Sequence, residues 1–284
     1  AWTSDSRASE AKLPPVNDDD TTRDDPRLGP SQGGGARAGP WMATALRELA
    51  EMPRAVRTAS VDWSGAELLA RAAGAAQFLR DLGPPGQPVP ALLAATPEAY
   101  AVTLGGAFSN RPIAPLGTRL AVAELAPMVA ALGAPVLVSD PANAEAAQLT
   151  AAAAGVATRV IDDLPLADPD FTATTPESVV LVLHTSGTTG RPKAVPVRDG
   201  AVSYRAAAYR THLGLAPGEV YCSTGAFHHT GGVGMCFVAA ACGATVALMP
   251  RFSVAAWRAM APLEPTCALL VPTMIDVLLE SHAL

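Results

Sequence analysis

Between residues 61 and 161, short apolar runs alternate with alanine-rich segments of helical period, and this alternation leaves few folds open. Residues 61–64, Val-Asp-Trp-Ser, read as a strand running into a helix cap. Ser64-Gly-Ala-Glu67 fits a capping box, with the acid three residues after the hydroxyl. The helix predicted to follow reaches Leu82, with Leu68, Leu69, Ala72, Ala75, Ala76 and Leu79 on one face. Gly83-Pro-Pro-Gly86 ends it. Residues 89–94 predict a buried strand. Thr96-Pro97-Glu98 opens the next helix with proline at its favoured first position. Strands over 113–116, 135–139 and 156–161 alternate with helices over 121–132 and 142–154, after a short helix over 43–50. Strands spaced by helices in this way predict an α/β fold with a mainly parallel sheet.

The second half continues the pattern. Strands are expected over 179–183, 194–197, 220–224, 243–249 and 266–271. Helices are expected over 200–211 and 235–242, with further helices opening at Ser253 and after Pro272. Residues 1–40 differ: Asn17-Asp-Asp-Asp20, Asp24-Asp25-Pro26 and Gln32-Gly-Gly-Gly35 are too polar to offset the entropy of ordering. They predict a disordered leader, with the globular part over 41–284.

Composition narrows the function. The 284 residues are 49% hydrophobic, enough for a sizeable core. The formal net charge is −6, and no basic patch marks a nucleic-acid partner. The four cysteines, Cys222, Cys236, Cys242 and Cys267, show no C-x-x-C spacing. Free thiols in a reducing compartment are expected, in the cytoplasm or an organelle matrix such as the peroxisome. No run is long enough to span a membrane. The chain starts at Ala1, and Ser281-His-Ala-Leu284 stops just after an apolar helical run. The expectation is a fragment. The sequence sets no oligomeric state.

One stretch carries chemistry. The apolar run over 179–183 turns abruptly into Thr185-Ser-Gly-Thr-Thr-Gly-Arg-Pro-Lys193, followed by a return strand. Gly187 and Gly190 allow close backbone approach. The hydroxyls of Thr185, Ser186, Thr188 and Thr189, with the loop N–H groups and the ammonium of Lys193, suit a chain of phosphates. The commoner phosphate loop needs G-x-x-x-x-G-K-[ST] opening a helix. Here the glycines are too close together and Ala194 follows the lysine, so a kinase-like phosphate binder is disfavoured.

A second candidate is Phe227-His-His-Thr-Gly-Gly232. An aromatic, two imidazoles and two glycines leave a strand end just ahead of an apolar helix. Gly231 and Gly232 remove bulk, so a ligand could approach there. With no carboxylate nearby in sequence, a metal site is disfavoured.

The segment Thr185–Lys193 resembles the signature loop of the adenylate-forming superfamily, which includes acyl-CoA synthetases, luciferases and peptide-synthetase adenylation domains. Ala194 replaces the usual glycine. The resemblance covers about 41–284 and includes the 61–67 turn, the Pro-Glu helix and Arg111-Pro-Ile-Ala-Pro-Leu116. It implies a layered α/β/α/β/α large N-terminal domain with mainly parallel sheets, incomplete at its C-terminus. Its first lobe would span about 41–175 and its second about 176–284.

The resemblance also implies roles. Thr185, Ser186, Gly187, Thr188, Thr189, Gly190 and Lys193 would bind ATP, with Thr188 beside Mg²⁺. Phe227, His228 and Gly231 align with a Pro-Leu-Phe-His-x-x-Gly motif, although Gly225 and Ala226 depart from Pro-Leu. His228 would orient the reacting carboxylate, acting with Lys193 as a catalytic residue, and Gly231 and Gly232 would line the acyl pocket. The absence of an aspartate in this motif favours a small carboxylic acid over an amino acid. His184, Pro196 and Arg251-Phe-Ser253 are similar to fatty-acyl and oxalate-type CoA ligases.

The implied activity is an AMP-forming acid–thiol ligase that uses ATP, Mg²⁺ and CoA as co-substrate. Family segments for adenosine binding and a C-terminal catalytic lysine have no match before Leu284, so these 284 residues alone are expected to be inactive. The rival from another class is a catalytically incomplete module that binds a nucleotide or an acyl ligand.

Overall fold

The structure, a computed structural model, describes residues 41–185 and 192–283. Helix α1 (Trp41–Ala50) is followed by two short strands, β1 (Val56–Arg57) and β2 (Asp62–Trp63). Then come α2 (Gly65–Arg80), β3 (Val89–Leu92), α3 (Pro97–Phe108), β4 (Ile113–Pro115), α4 (Val122–Ala131), β5 (Val136–Ser139), α5 (Ala144–Ala154) and β6 (Ala157–Val160). Strands β7 (Val179–Thr185) and β8 (Lys193–Arg198) lead into α6 (Asp199–Leu213), β9 (Val220–Ser223) and α7 (Met235–Cys242). The last elements are β10 (Thr245–Leu248), α8 (Val254–Ala259), β11 (Cys267–Ala268) and α9 (Pro272–Glu280).

Side-chain caps start the helices where the sequence places them. The Ser64 hydroxyl accepts from the Glu67 N–H at 3.2 Å, and the Glu67 carboxylate accepts from the Ser64 N–H at 2.8 Å. Thr96 caps α3 and Ser253 caps α8 by the hydroxyl alone. Gly243 ends α7 at φ 72°, a left-handed value that favours glycine.

The fold is mixed α/β with mostly parallel sheets, as the alternation predicts. One sheet runs β6-β5-β3-β4-β7-β8 and the other β11-β9-β10-β1-β2. Among the described residues, only the β7–β8 and β1–β2 pairs are antiparallel. Sheet membership does not follow chain order: β1 pairs with β10, with Val56 opposite Val246. Strand β1 has two residues, too few to leave a period in the sequence. The strand expected over 266–271 is paired only at Cys267 and Ala268. It lies at a sheet edge with β9 as its one neighbour, and Pro272 opens α9 just beyond it.

The core is centred on α3 and α7. All eight residues of α7 are buried, and so is every residue of α3 except Glu98. The Tyr100 hydroxyl donates to the Cys236 carbonyl at 3.0 Å, joining the two helices. Trp41 stacks on Phe237 with centroids 4.6 Å apart, and on Phe108 at 5.8 Å. Asp199 is fully buried at the start of α6, where its carboxylate accepts from the Trp41 and Met42 N–H groups and the Thr174 hydroxyl. That carboxylate serves the orphan donors at the start of α1. Arg111, also buried, serves the other polarity: it donates to the Leu79 and Pro84 carbonyls around the end of α2.

Candidate functional site

Strand β7 leaves the core gradually. Leu181 and Val182 are buried, His184 is half-buried and Thr185 is exposed. The antiparallel register sets Leu183 opposite Val195, His184 opposite Ala194 and Thr185 opposite Lys193. The first hydroxyl of the loop and its cation thus stand side by side at the loop's base. Ser186, Gly187, Thr188, Thr189 and Gly190 lie outside the described residues. Strand β8 is a sheet edge, and it is exposed from Lys193 to Pro196.

The histidine segment leaves β9, which lies between β10 and β11. A tight turn follows. The His229 N–H donates to the Ala226 carbonyl at 2.9 Å, and the Val233 N–H donates to the Phe227 carbonyl at 3.2 Å. The Tyr221 hydroxyl donates to the Gly231 carbonyl at 3.2 Å. Phe227, 5% exposed, pins the turn to the core. Two glycines are required by close approach. A Cβ on Gly232 would lie 2.1 Å from the Ala226 carbonyl oxygen, and one on Gly225 would lie 2.7 Å from Gly231 backbone atoms. At Gly231 the obstacle is only the tip of the Leu269 side chain.

This turn is a wall between two clefts that share Gly225, Ala226 and Met274. The first, about 660 Å³, has His184 and Thr185 on one side and His229, Thr230 and Gly231 on the other. It therefore joins the base of the β7–β8 loop to the histidine turn. The second, about 610 Å³, is lined by Gly117, Arg119, Phe227, His228, Arg251 and Phe252. Gly117 leaves room for the imidazole: a Cβ there would lie 3.1 Å from His228 Nε2. The structure thus gathers Thr185 and Gly231 around the first cleft, with Lys193 paired to Thr185 across the strands. Phe227 and His228 face the second, and Gly232 supports the turn from beneath.

Burial lowers the pKa of two imidazoles, His228 and His184. Burial pushes His228 down to about 4, helped by His229, Arg119 and His184 nearby. The His228 and His229 ring centroids lie 4.1 Å apart. Burial also lowers the pKa of His184, and its Nδ1 is buried without a hydrogen-bond partner. The thiols are equally unreactive, with burial raising Cys222 to about 11 and Cys236 to about 12. Among the described residues no three His, Cys, Asp or Glu side chains gather to hold a metal ion. No helix among them is long and apolar enough to cross a membrane. Arg119 left no trace in the sequence reading, because a single arginine in a turn has no pattern. His184 stood out there only as part of a likeness.

The family model described as "AMP-binding enzyme" matches residues 44–284. The chain belongs to the AMP-binding enzyme family. Feruloyl-CoA synthases of Amycolatopsis sp and Streptomyces sp are each 33% identical to it over 232 residues, 79% of this chain and 46% of those proteins. The chain spans about half the length of the curated relatives it matches. Among solved structures, the N-terminal domain of FACL13 from Mycobacterium tuberculosis superposes with a TM-score of 0.75 at 22% identity, covering 84% of this chain and 64% of that one. ATP-bound MatB from Rhodopseudomonas palustris gives 0.73 at 22% identity, covering 86% of this chain and 52% of that one. At such identities the superpositions speak for the fold: the two mostly parallel sheets are those of this family's N-terminal domain.

Proposed function

We propose that the protein is an AMP-forming acid–thiol ligase. The observation that carries this reading is the single cleft lined by both the phosphate-loop base and the histidine turn. In the first step a carboxylate oxygen attacks the α-phosphorus of ATP. The bond to the bridging oxygen breaks, and pyrophosphate leaves with the electron pair. In the second step the sulfur of a thiol attacks the acyl carbon, the acyl C–O bond to AMP breaks, AMP leaves with the electron pair, and the thiol proton passes to water.

The chain's own part in the first step is positioning and charge neutralisation. Lys193 neutralises the β- and γ-phosphates, and Thr185, Ser186, Thr188 and Thr189 donate hydroxyl hydrogen bonds to them, with Gly187 and Gly190 letting the backbone close in. Gly231 borders the acyl group, and Gly232 lets the turn come that close. Mg²⁺ bound with ATP would supply further neutralisation, and Thr188 would help to hold it. The described residues offer no carboxylate ligand set for the metal.

The second cleft suits the thiol. Arg119 and Arg251 stand on its walls and complement an anionic carrier such as CoA. His228, neutral at physiological pH, sits on the dividing turn, where it can orient the acid from the thiol's side.

The test is acid-dependent pyrophosphate release from ATP across acetic, octanoic, benzoic and ferulic acids, followed by thioester formation with CoA. Ferulic acid is included because of the relatives' names. Release with at least one acid supports the reading. ATP binding by calorimetry without acid-dependent release would instead mark a nucleotide-binding module without turnover.

A further inference from the structure

His184 is one of two imidazoles that share a cleft with the phosphate-loop base, yet one of its ring nitrogens is idle. Nδ1 is buried and has no partner, and an unsatisfied buried polar group is costly unless something offsets it. The position explains what could do so. His184 precedes Thr185 on β7, opposite Ala194 and one pair short of the Thr185–Lys193 pair. It faces the first cleft with His229, Thr230 and Gly231 across from it. His228 borders the other cleft. Of the two imidazoles in the first cleft, His229 is exposed and His184 is half-buried. A hydrogen bond from a half-buried side chain loses less to competing water and discriminates more strongly between partners.

We propose that His184 binds the reacting acid, its imidazole giving a hydrogen bond to the carboxylate while Lys193, one residue pair further out, holds the phosphates. Turning the ring about Cβ–Cγ exchanges its two edges and lets the idle nitrogen meet the ligand without displacing the strand. This deepens the ligase reading and rests on it. The group is a donor to a carboxylate, so it acts on the acid and not on ATP, and its loss separates the two substrates.

The experiment compares the wild-type protein with His184→Phe and His184→Gln by pyrophosphate release, using the best acid of the panel above. Phe keeps a planar ring of similar size and removes both nitrogens; Gln restores a donor. The expected result for H184F is a KM for the acid about ten- to a hundredfold higher, with the KM for ATP within about twofold. H184Q recovers most of the loss. The melting temperature of H184F without ligands stays level or rises, because the idle buried nitrogen is gone. A residue that only supports the fold would lower it. An unchanged acid KM in H184F, with wild type active, overturns the assignment alone. Equal losses for acid and ATP, or a lowered melting temperature, overturn it as well. No acid-dependent release by the wild type overturns the ligase reading and this assignment together.

Discussion

Arg198 ends an exposed strand and Asp199, the next residue, is fully buried. That single peptide bond divides two regions built on opposite principles. On one side, β8 presents Lys193 to Pro196 to solvent as a sheet edge with one partner strand. On the other, Asp199 ties α6 to α1 beneath the stacked rings of Trp41, Phe237 and Phe108. The first region leaves Lys193 exposed and available to a ligand. The second spends the Asp199 carboxylate on internal donors. A strand held by its ends and one edge can carry a functional cation without that cation supporting the fold.

The contrast can be broken in three ways. Trp41→Ala should cost the most, about 3–5 kcal/mol, because a fully buried indole leaves a cavity and the Phe237 carbonyl loses its donor. Urea unfolding measures this, and a shift below about 1 kcal/mol would mean the seam is not where stability resides. Asp199→Asn comes next, at about 2–3 kcal/mol by the same measurement, since the carboxylate's donors lose an ionic acceptor. A midpoint equal to wild type would remove Asp199 from the anchor. Lys193→Ala should leave the unfolding midpoint within about 0.5 kcal/mol and slow pyrophosphate release at least about tenfold at fixed ATP. Lost stability with unchanged release would invert the comparison.

A pH dependence sharpens it. His228 is held near 4 in the folded protein and titrates at an ordinary 6.5 when unfolded. Between these values the unfolded chain takes up a proton that the folded chain refuses. Stability should therefore be complete above about pH 6.5 and decline as the pH falls towards 4. Denaturation midpoints for wild type and His228→Gln across pH 4–7 test this. The variant should show the shallower decline, and parallel curves would mean that His228 is not desolvated.

Much of the fold was legible because local signals agreed with it. The Ser64–Glu67 box and Thr96-Pro97 named helix starts within a residue, and the apolar runs named most of the strands. What escaped depends on distance along the chain. Nothing near Val56 announces Val246, and nothing near Asp199 announces Trp41. The site divides in the same way. A hairpin that returns through Lys193 could be read from its turn residues. That adjacent histidines border different clefts could not, because this follows from how β9 meets the β4–α4 turn. Tightness at Gly225, where a Pro-Leu motif was the expectation, is likewise a fact of the closed turn.

The Trp41 indole donates to Phe237, a residue 196 positions later. A ribosome adding roughly 5–20 residues per second makes that partner only about 10–40 s after the tryptophan. Helix α1 and strand β1 are made long before their partners β10 and Phe237, and are thus among the last of the described elements able to settle. For that interval an apolar helix face has no place to dock, and it is there that a chaperone or a neighbouring nascent chain would find it.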